Sequence, residues 1–264
     1  MIRRLNIRLA ALLILQGFIG LNAAQALARD NAMLELETGT EVDIRVFPAK
    51  GDSLLLGFAC DEGHSLHEEE TAATLAKGGV EVWMPDMLGA HMLPKVRSSI
   101  AEIPTEEIVE IINRAHEQTG KKIYLIATGP DAELILRGAQ LWEKGSDLSV
   151  DDSPLQGAIL MFPRLNAGEP EPGQEPVYVE SVGKTRLPIM VLEGQRTPNS
   201  WGLAHFTEAL GAGGSEVIGK VIPDVRGYFF KRDDANESEE VVTSQLSGLI
   251  KASLMYLNGT HHDH

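Results

Sequence analysis

Cysteine, aromatic residues and positive charge are all scarce in this sequence, and each shortage closes off a class of explanation. Cys60 is the only cysteine in 264 residues, so no disulfide can form within the chain, even in an oxidising compartment. Aromatic residues make up 5% of the chain, and Trp83, Trp142 and Trp201 are too widely spaced to form a stacking platform for bases, so core packing is their expected role. Lys and Arg number 23 against 38 Asp and Glu, a formal net charge of −15. Such a chain repels phosphate backbones and anionic lipid, which excludes nucleic-acid and membrane-surface binding and leaves a cationic protein partner electrostatically open. No G-x-G-x-x-G or G-x-x-x-x-G-K-[ST] follows any expected strand, so the sequence carries no signature of a nucleotide enzyme.

One apolar run stands at the start. Arg3, Arg4 and Arg8 precede LAALLILQGFIGL, and Ala26-Leu27-Ala28 follows as a small-residue cleavage site, the pattern of a secretory signal. The run falls short of the ~20 residues that a membrane span needs. Residues 1–28 are therefore expected to be removed after Ala28, giving a periplasmic or secreted protein with no membrane attachment and a formal charge of −18 once the three arginines leave with the segment. Cys60 lies far from that cleavage point, which argues against a lipid anchor on it.

The remainder reads as one domain over 29–257, with a disordered His-rich tail at 258–264. Met33–Glu37 and Val42–Phe47 alternate around Thr38-Gly39-Thr40 and predict an antiparallel hairpin. Ser53–Ala59, Val80–Met84, Ile123–Ile126, Gln156–Met161, Leu187–Leu192 and Val217–Ile222 are short and almost continuously apolar, as strands buried on both faces are. Helices are expected between them: Glu68–Lys77, a helix capped by Thr105 and ended by Gly120, a helix opening at Asp131, Trp201–Leu210, and one terminal helix over Glu239–Leu257. Residues 163–178, rich in Pro, Gly and Glu, read as a lid-like insertion too polar to pack. Alternating strands and helices demand a mostly parallel sheet.

Lys122–Trp142 supplies the most telling corner: an apolar strand, Ala127-Thr128-Gly129-Pro130-Asp131, then a helix with apolar residues at Leu134, Ile135 and Leu141. With Leu54–Ala59, Val82-Trp83-Met84-Pro85-Asp86 and Pro188–Gly194, this corner resembles the α/β-hydrolase superfamily over Met33–Leu257. The resemblance implies an α/β fold: a mostly parallel eight-stranded sheet with an antiparallel N-terminal hairpin and helices on both faces. It also places the nucleophile at Gly129, which has no side chain to attack with. The oxyanion donor falls on Pro130, which has no N–H, and losing such a donor costs roughly 2.7–4 kcal/mol of transition-state stabilisation. The acid falls among Gln195-Arg196-Thr197-Pro198, without a carboxylate, and the histidine within Val221–Phe230, without a histidine.

Two shifted frames put the nucleophile on Thr128 or on Asp131. Thr128 fits poorly, since a β-branched residue resists the positive φ of an elbow. Elsewhere, Cys60, Asp61, His64 and His67 follow the third strand and could form a thiol–imidazole nucleophile or a metal site. Asp86 and His91 could face the same cleft, and His261, His262 and His264 could hold a metal loosely. The resulting expectation is a secreted binding or accessory protein without serine-hydrolase activity, taking an unidentified protein partner or small ligand and no cofactor. The alternative is a hydrolase on the same fold using Cys60, Asp61 and His64, or Asp131.

Overall fold

Eight strands form one sheet in the order β1-β2-β4-β3-β5-β6-β7-β8 in the computed structural model, which describes residues 30–58, 66–146, 148, 153–168, 174–229 and 232–259. The strands are β1 (Asp30–Glu35), β2 (Glu41–Phe47), β3 (Ser53–Phe58), β4 (Val80–Pro85), β5 (Lys122–Thr128), β6 (Leu155–Met161), β7 (Ile189–Gly194) and β8 (Val217–Ile222). The hairpin β1–β2 pairs antiparallel within itself and onto β4, and every other pairing is parallel.

Successive side chains of the central strands enter two different cores, which is why those strands read as unbroken apolar runs. Leu54 and Leu56 of β3 and Ile123 and Leu125 of β5 pack with α3 (Thr105–Thr119) and α4 (Ala132–Gly145). Leu55 and Tyr124, the residues between them, pack on the opposite face with α1 (Leu66–Lys77) and α7 (Leu246–Gly259). A short α2 (Met87–Ala90) follows β4, α5 (Leu203–Gly211) precedes β8, and α6 (Glu237–Ser244) precedes α7. Among the described residues, no helix is long and apolar enough to cross a membrane.

Several boundaries differ from expectation. Pro104 holds the cap position of α3 with extended backbone, and Thr105 is the first helical residue. Proline suits that place because its fixed φ and missing N–H do no harm outside the helix. The expected single terminal helix is two, broken at Gln245, and the first is set by a capping box in which Asn236 and Glu239 satisfy each other's backbone N–H. Residues 163–178 are not merely polar excursion: Val179 N donates to Leu165 O (2.8 Å), Ala167 N donates to Val177 O (2.7 Å), and Asn166 bridges Tyr178. Arg97–Glu102 forms a 3-10 helix. Asn258 and Gly259, expected in the tail, belong to α7, where the Tyr124 hydroxyl donates to Asn258 Oδ1. Residues 1–28 and 260–264 lie outside the described residues.

Candidate active site

Parallel sheets of this kind bind ligands outside the carboxyl ends of their strands, where the order of connections reverses. Here β3 is followed by β4 on one side, and the chain then crosses back to β5 on the other, with Phe58 paired to Ala127 at the carboxyl end. The corner at that end is Thr128-Gly129-Pro130-Asp131. Gly129 sits at φ +56°, in the left-handed region that glycine enters without strain. Pro130 and Asp131 form a 3-10 turn, and α4 opens at Ala132. Packing holds the helix close: a Cβ on Gly138 would meet Ile108 Cγ2 of α3 at 2.5 Å.

Gly129 does not open onto empty space. The Tyr228 hydroxyl fills the position where its Cβ would be, with Tyr228 Cζ at 2.7 Å from that point. Tyr228 belongs to the turn after β8 and itself has φ +56°. Its ring lies beneath the Arg164 guanidinium, 4.6 Å from carbon to centroid, and 6.0 Å from the Phe162 ring. Arg164 N donates to Gly129 O at 2.9 Å, so β6, the elbow and the β8 turn are tied together at one point. The β8 turn is in turn anchored by Arg226, whose Nε donates to Glu239 Oε1 (2.7 Å) and whose backbone N donates to the same oxygen (2.9 Å). Asp234 takes a third arm of the guanidinium at 3.0 Å. Hydrogen bonds from Arg226 hold the Glu239 carboxyl down to about 2, against the opposing effect of its burial.

The stretch Gln195–Pro198, where the resemblance puts an acid, has no carboxylate, but one stands just before Gly194. Glu193 is a fully enclosed carboxylate at the end of β7, accepting from Gly194 N (3.0 Å) and Thr197 Oγ1 (2.8 Å). Burial pushes its carboxyl up, opposed by hydrogen bonds from Thr197, Gly194 and Asn199 and by the charge of Arg164. The signal was present: one Glu inside the otherwise apolar IMVLEG. Tyr228 was missed because nothing near it in sequence marks its contact with Gly129.

The remaining candidates fall as follows. Asp131 is completely buried at the start of α4. Thr128 is half-buried at the end of β5. Asp86 caps α2, accepting from Gly89 N at 2.9 Å. His91 Nε2 lies 2.6 Å from Glu107 Oε2, and Glu107 Oε1 accepts from Thr38 and Thr40 (2.8 Å each), so this pair clasps the β1–β2 turn to α3. Burial pushes the Glu107 carboxyl up, and the hydrogen bonds from Thr38, His91 and Thr40 more than offset it, leaving it below the usual range. His67 is an exposed residue of α1 that pairs with Glu70 at 3.6 Å. Cys60, Asp61, His64, His261, His262 and His264 lie outside the described residues. Among the described residues, no three His, Cys, Asp or Glu side chains cluster as a metal site would require.

No protein-family model matches the chain, and neither does any curated protein. Solved structures do. Esterase 2 of Thermogutta terrifontis, in a form phosphoramylated by tabun, superposes with a TM-score of 0.57 at 15% identity, covering 89% of this chain and 98% of that one. A dienelactone hydrolase from Anabaena variabilis gives 0.59 at 13% identity, covering 83% and 96%. The neighbours of this fold are named as esterases and dienelactone hydrolases, and the expected non-catalytic binding or accessory role is corrected on that finding. With its eight strands in this order, its antiparallel hairpin and its helices on both faces, the chain has the α/β-hydrolase fold.

Proposed function

We propose that this protein hydrolyses esters or lactones with reacting groups drawn from the segment after β3, since Gly129 holds the serine place, Gln195–Pro198 offers no carboxylate and Val221–Phe230 no histidine. The observation that carries the reading is the in-register pairing of Phe58 with Ala127 at the carboxyl end of β3, the strand that Cys60, Asp61 and His64 follow in the sequence. An apolar cleft of about 80 Å³ lies at the same strand ends, lined by Phe58, Ala127, Thr128 and Met161. The fold neighbours supply the reaction class. Asp131 serves the reading less well as the attacking group, because it is wholly enclosed.

In the proposed cycle the Cys60 thiol gives its proton to His64, and the thiolate sulfur bonds to the substrate carbonyl carbon while the carbonyl π pair moves onto oxygen. That pair returns as the carbon–oxygen bond to the leaving alcohol breaks, and the alcohol takes the proton from His64. Water then attacks the thioester, giving its proton to His64, and the departing thiolate recovers it. Asp61 orients the imidazole.

Turnover of p-nitrophenyl acetate and of a simple lactone tests this on the full chain. Cys60→Ala and His64→Ala are each expected to lower kcat by at least about 100-fold. A wild type without turnover, or full turnover in Cys60→Ala, overturns it, and a loss confined to Asp131→Asn moves the nucleophile there. We also propose that residues 1–28 direct export, tested by N-terminal sequencing of the mature protein, where a start at Arg29 supports it.

A further inference from the structure

A second cavity lies on the carboxyl side of β6 and β7, apart from the cleft beside β3. It measures about 200 Å³ and is walled by Leu165, Tyr178, Leu203 and Phe206, with Glu193, Asn166 and Asn199 among its polar members. Tyr178 and Phe206 form a tilted aromatic pair, 5.2 Å between centroids at 54°. The paired arms of the 163–168 and 174–179 stretches supply one side, the turn after β7 the floor, and the start of α5 the other side. The cavity is also connected to the elbow. Arg164, the residue before Leu165, donates its backbone N–H to Gly129 O at 2.9 Å.

The lining sets what would fit. A dry cavity of about 150 Å³ accepts benzene, so this one takes a single ring with a small substituent. Its walls are apolar or aromatic, and ligand pockets of that kind use a few convergent polar groups to fix orientation. Glu193 is such a group: its carboxylate has about four acceptor positions, of which Gly194 N and Thr197 Oγ1 use two on Oε1 and the Asn199 side chain a third, leaving room for one more donor. An anionic ligand would face this carboxylate on a chain of net charge −15. A cationic one would gain less from Glu193, on which the charge of Arg164 already acts. A neutral hydrogen-bond donor suffers neither.

We propose that this cavity is the subsite for the non-reacting part of the substrate and that it takes a neutral six-membered ring bearing a hydroxyl, held by Glu193 and stacked against Tyr178 and Phe206. The substrate class is then an ester or lactone of a hydroxylated aromatic ring, a statement that rests on the hydrolase reading above. The cavity carries its own reporter. Trp201 is 89% exposed between Asn199 and Gly202, both of which line the cavity, whereas Trp83 and Trp142 are buried at 5% and 9%.

Binding is measured by calorimetry and by Trp201 emission on the full chain, with phenol, anisole and benzoate as probes. Phenol is expected to bind roughly tenfold more tightly than anisole, as a hydrogen bond to a charged acceptor allows, and benzoate least. Glu193→Gln should shrink the phenol–anisole ratio to within about threefold, and Phe206→Ala should weaken both rings alike; circular dichroism checks that each variant folds. Equal binding of phenol and anisole to the wild type, or no binding of either, overturns the proposal. So does a ratio unmoved by Glu193→Gln. The two readings separate cleanly: phenol selectivity in a protein that turns over no ester leaves the site standing and removes the hydrolase, whereas ester turnover that phenol neither binds nor inhibits removes the subsite alone.

Discussion

The Tyr228 hydroxyl occupies the place of the Cβ that Gly129 lacks. A side chain at 129 therefore meets two penalties. One is the left-handed backbone at φ +56°, which costs an L-residue about 1–2 kcal/mol, and the other is overlap with the tyrosine, in the range of about 1–3 kcal/mol for overpacking. Gly129→Ala is expected to lose about 2–5 kcal/mol in urea unfolding, the sum of these two terms. Adding Tyr228→Phe should return about 1 kcal/mol or more of this, a non-additivity that a double-mutant cycle reads directly. Strict additivity would show that the hydroxyl is not where it stands here. Gly129→Ser should gain no esterase activity, since Pro130 still offers no N–H to an oxyanion.

Much of the scaffold is legible in the sequence because the forces that build it are local and repeated. Leu54-Leu55-Leu56 and Ile123-Tyr124-Leu125 bury side chains on both faces, and that shows as an apolar run. Gly129-Pro130 shows as a corner because only those two residue types combine positive φ with a good first helical position. The contents of the corner are another matter. Tyr228 sits on the turn after β8, an edge strand separated from β5 by β6 and β7, and no periodicity near either residue encodes its meeting with Gly129. Glu193 was hidden differently: its solvation is replaced by Thr197, Gly194 and Asn199 on a turn whose shape the sequence does not announce.

The turn that carries Tyr228 depends on Arg226, and the protein should reveal this in acid. Arg226 first, then the backbone N–H of Asn236, hold the Glu239 carboxyl at about 2, well below its unfolded value near 4.5. A carboxyl depressed in the folded state contributes stability above the unfolded value and loses it as pH falls toward the folded one. The wild type should thus lose stability between about pH 4.5 and 2, and Glu239→Gln should be less stable at neutral pH with a flatter slope in that window. Melting temperatures measured across the window decide it; parallel curves for the two proteins would count against the Arg226–Glu239 pair.

Glu193 should act with the opposite sign. Burial raises its carboxyl above the ordinary 4.5, so the folded protein holds the proton more tightly than the unfolded chain does. Stability from such a group is complete below the unfolded value and is lost as pH rises through the folded one. Glu143 is raised for the same reason, burial, with Arg186 N donating to it at 3.0 Å, and it adds to the same decline. The wild type is therefore expected to weaken as pH climbs above about 4.5, and Glu193→Gln, neutral throughout, to weaken less. Glu143 keeps some slope in the variant, so the curves should converge at low pH and separate as pH rises. Urea midpoints at half-unit intervals read this directly. Curves that stay a constant distance apart would mean that Glu193 titrates like a carboxyl in water, and its place inside an apolar cavity could not then be right.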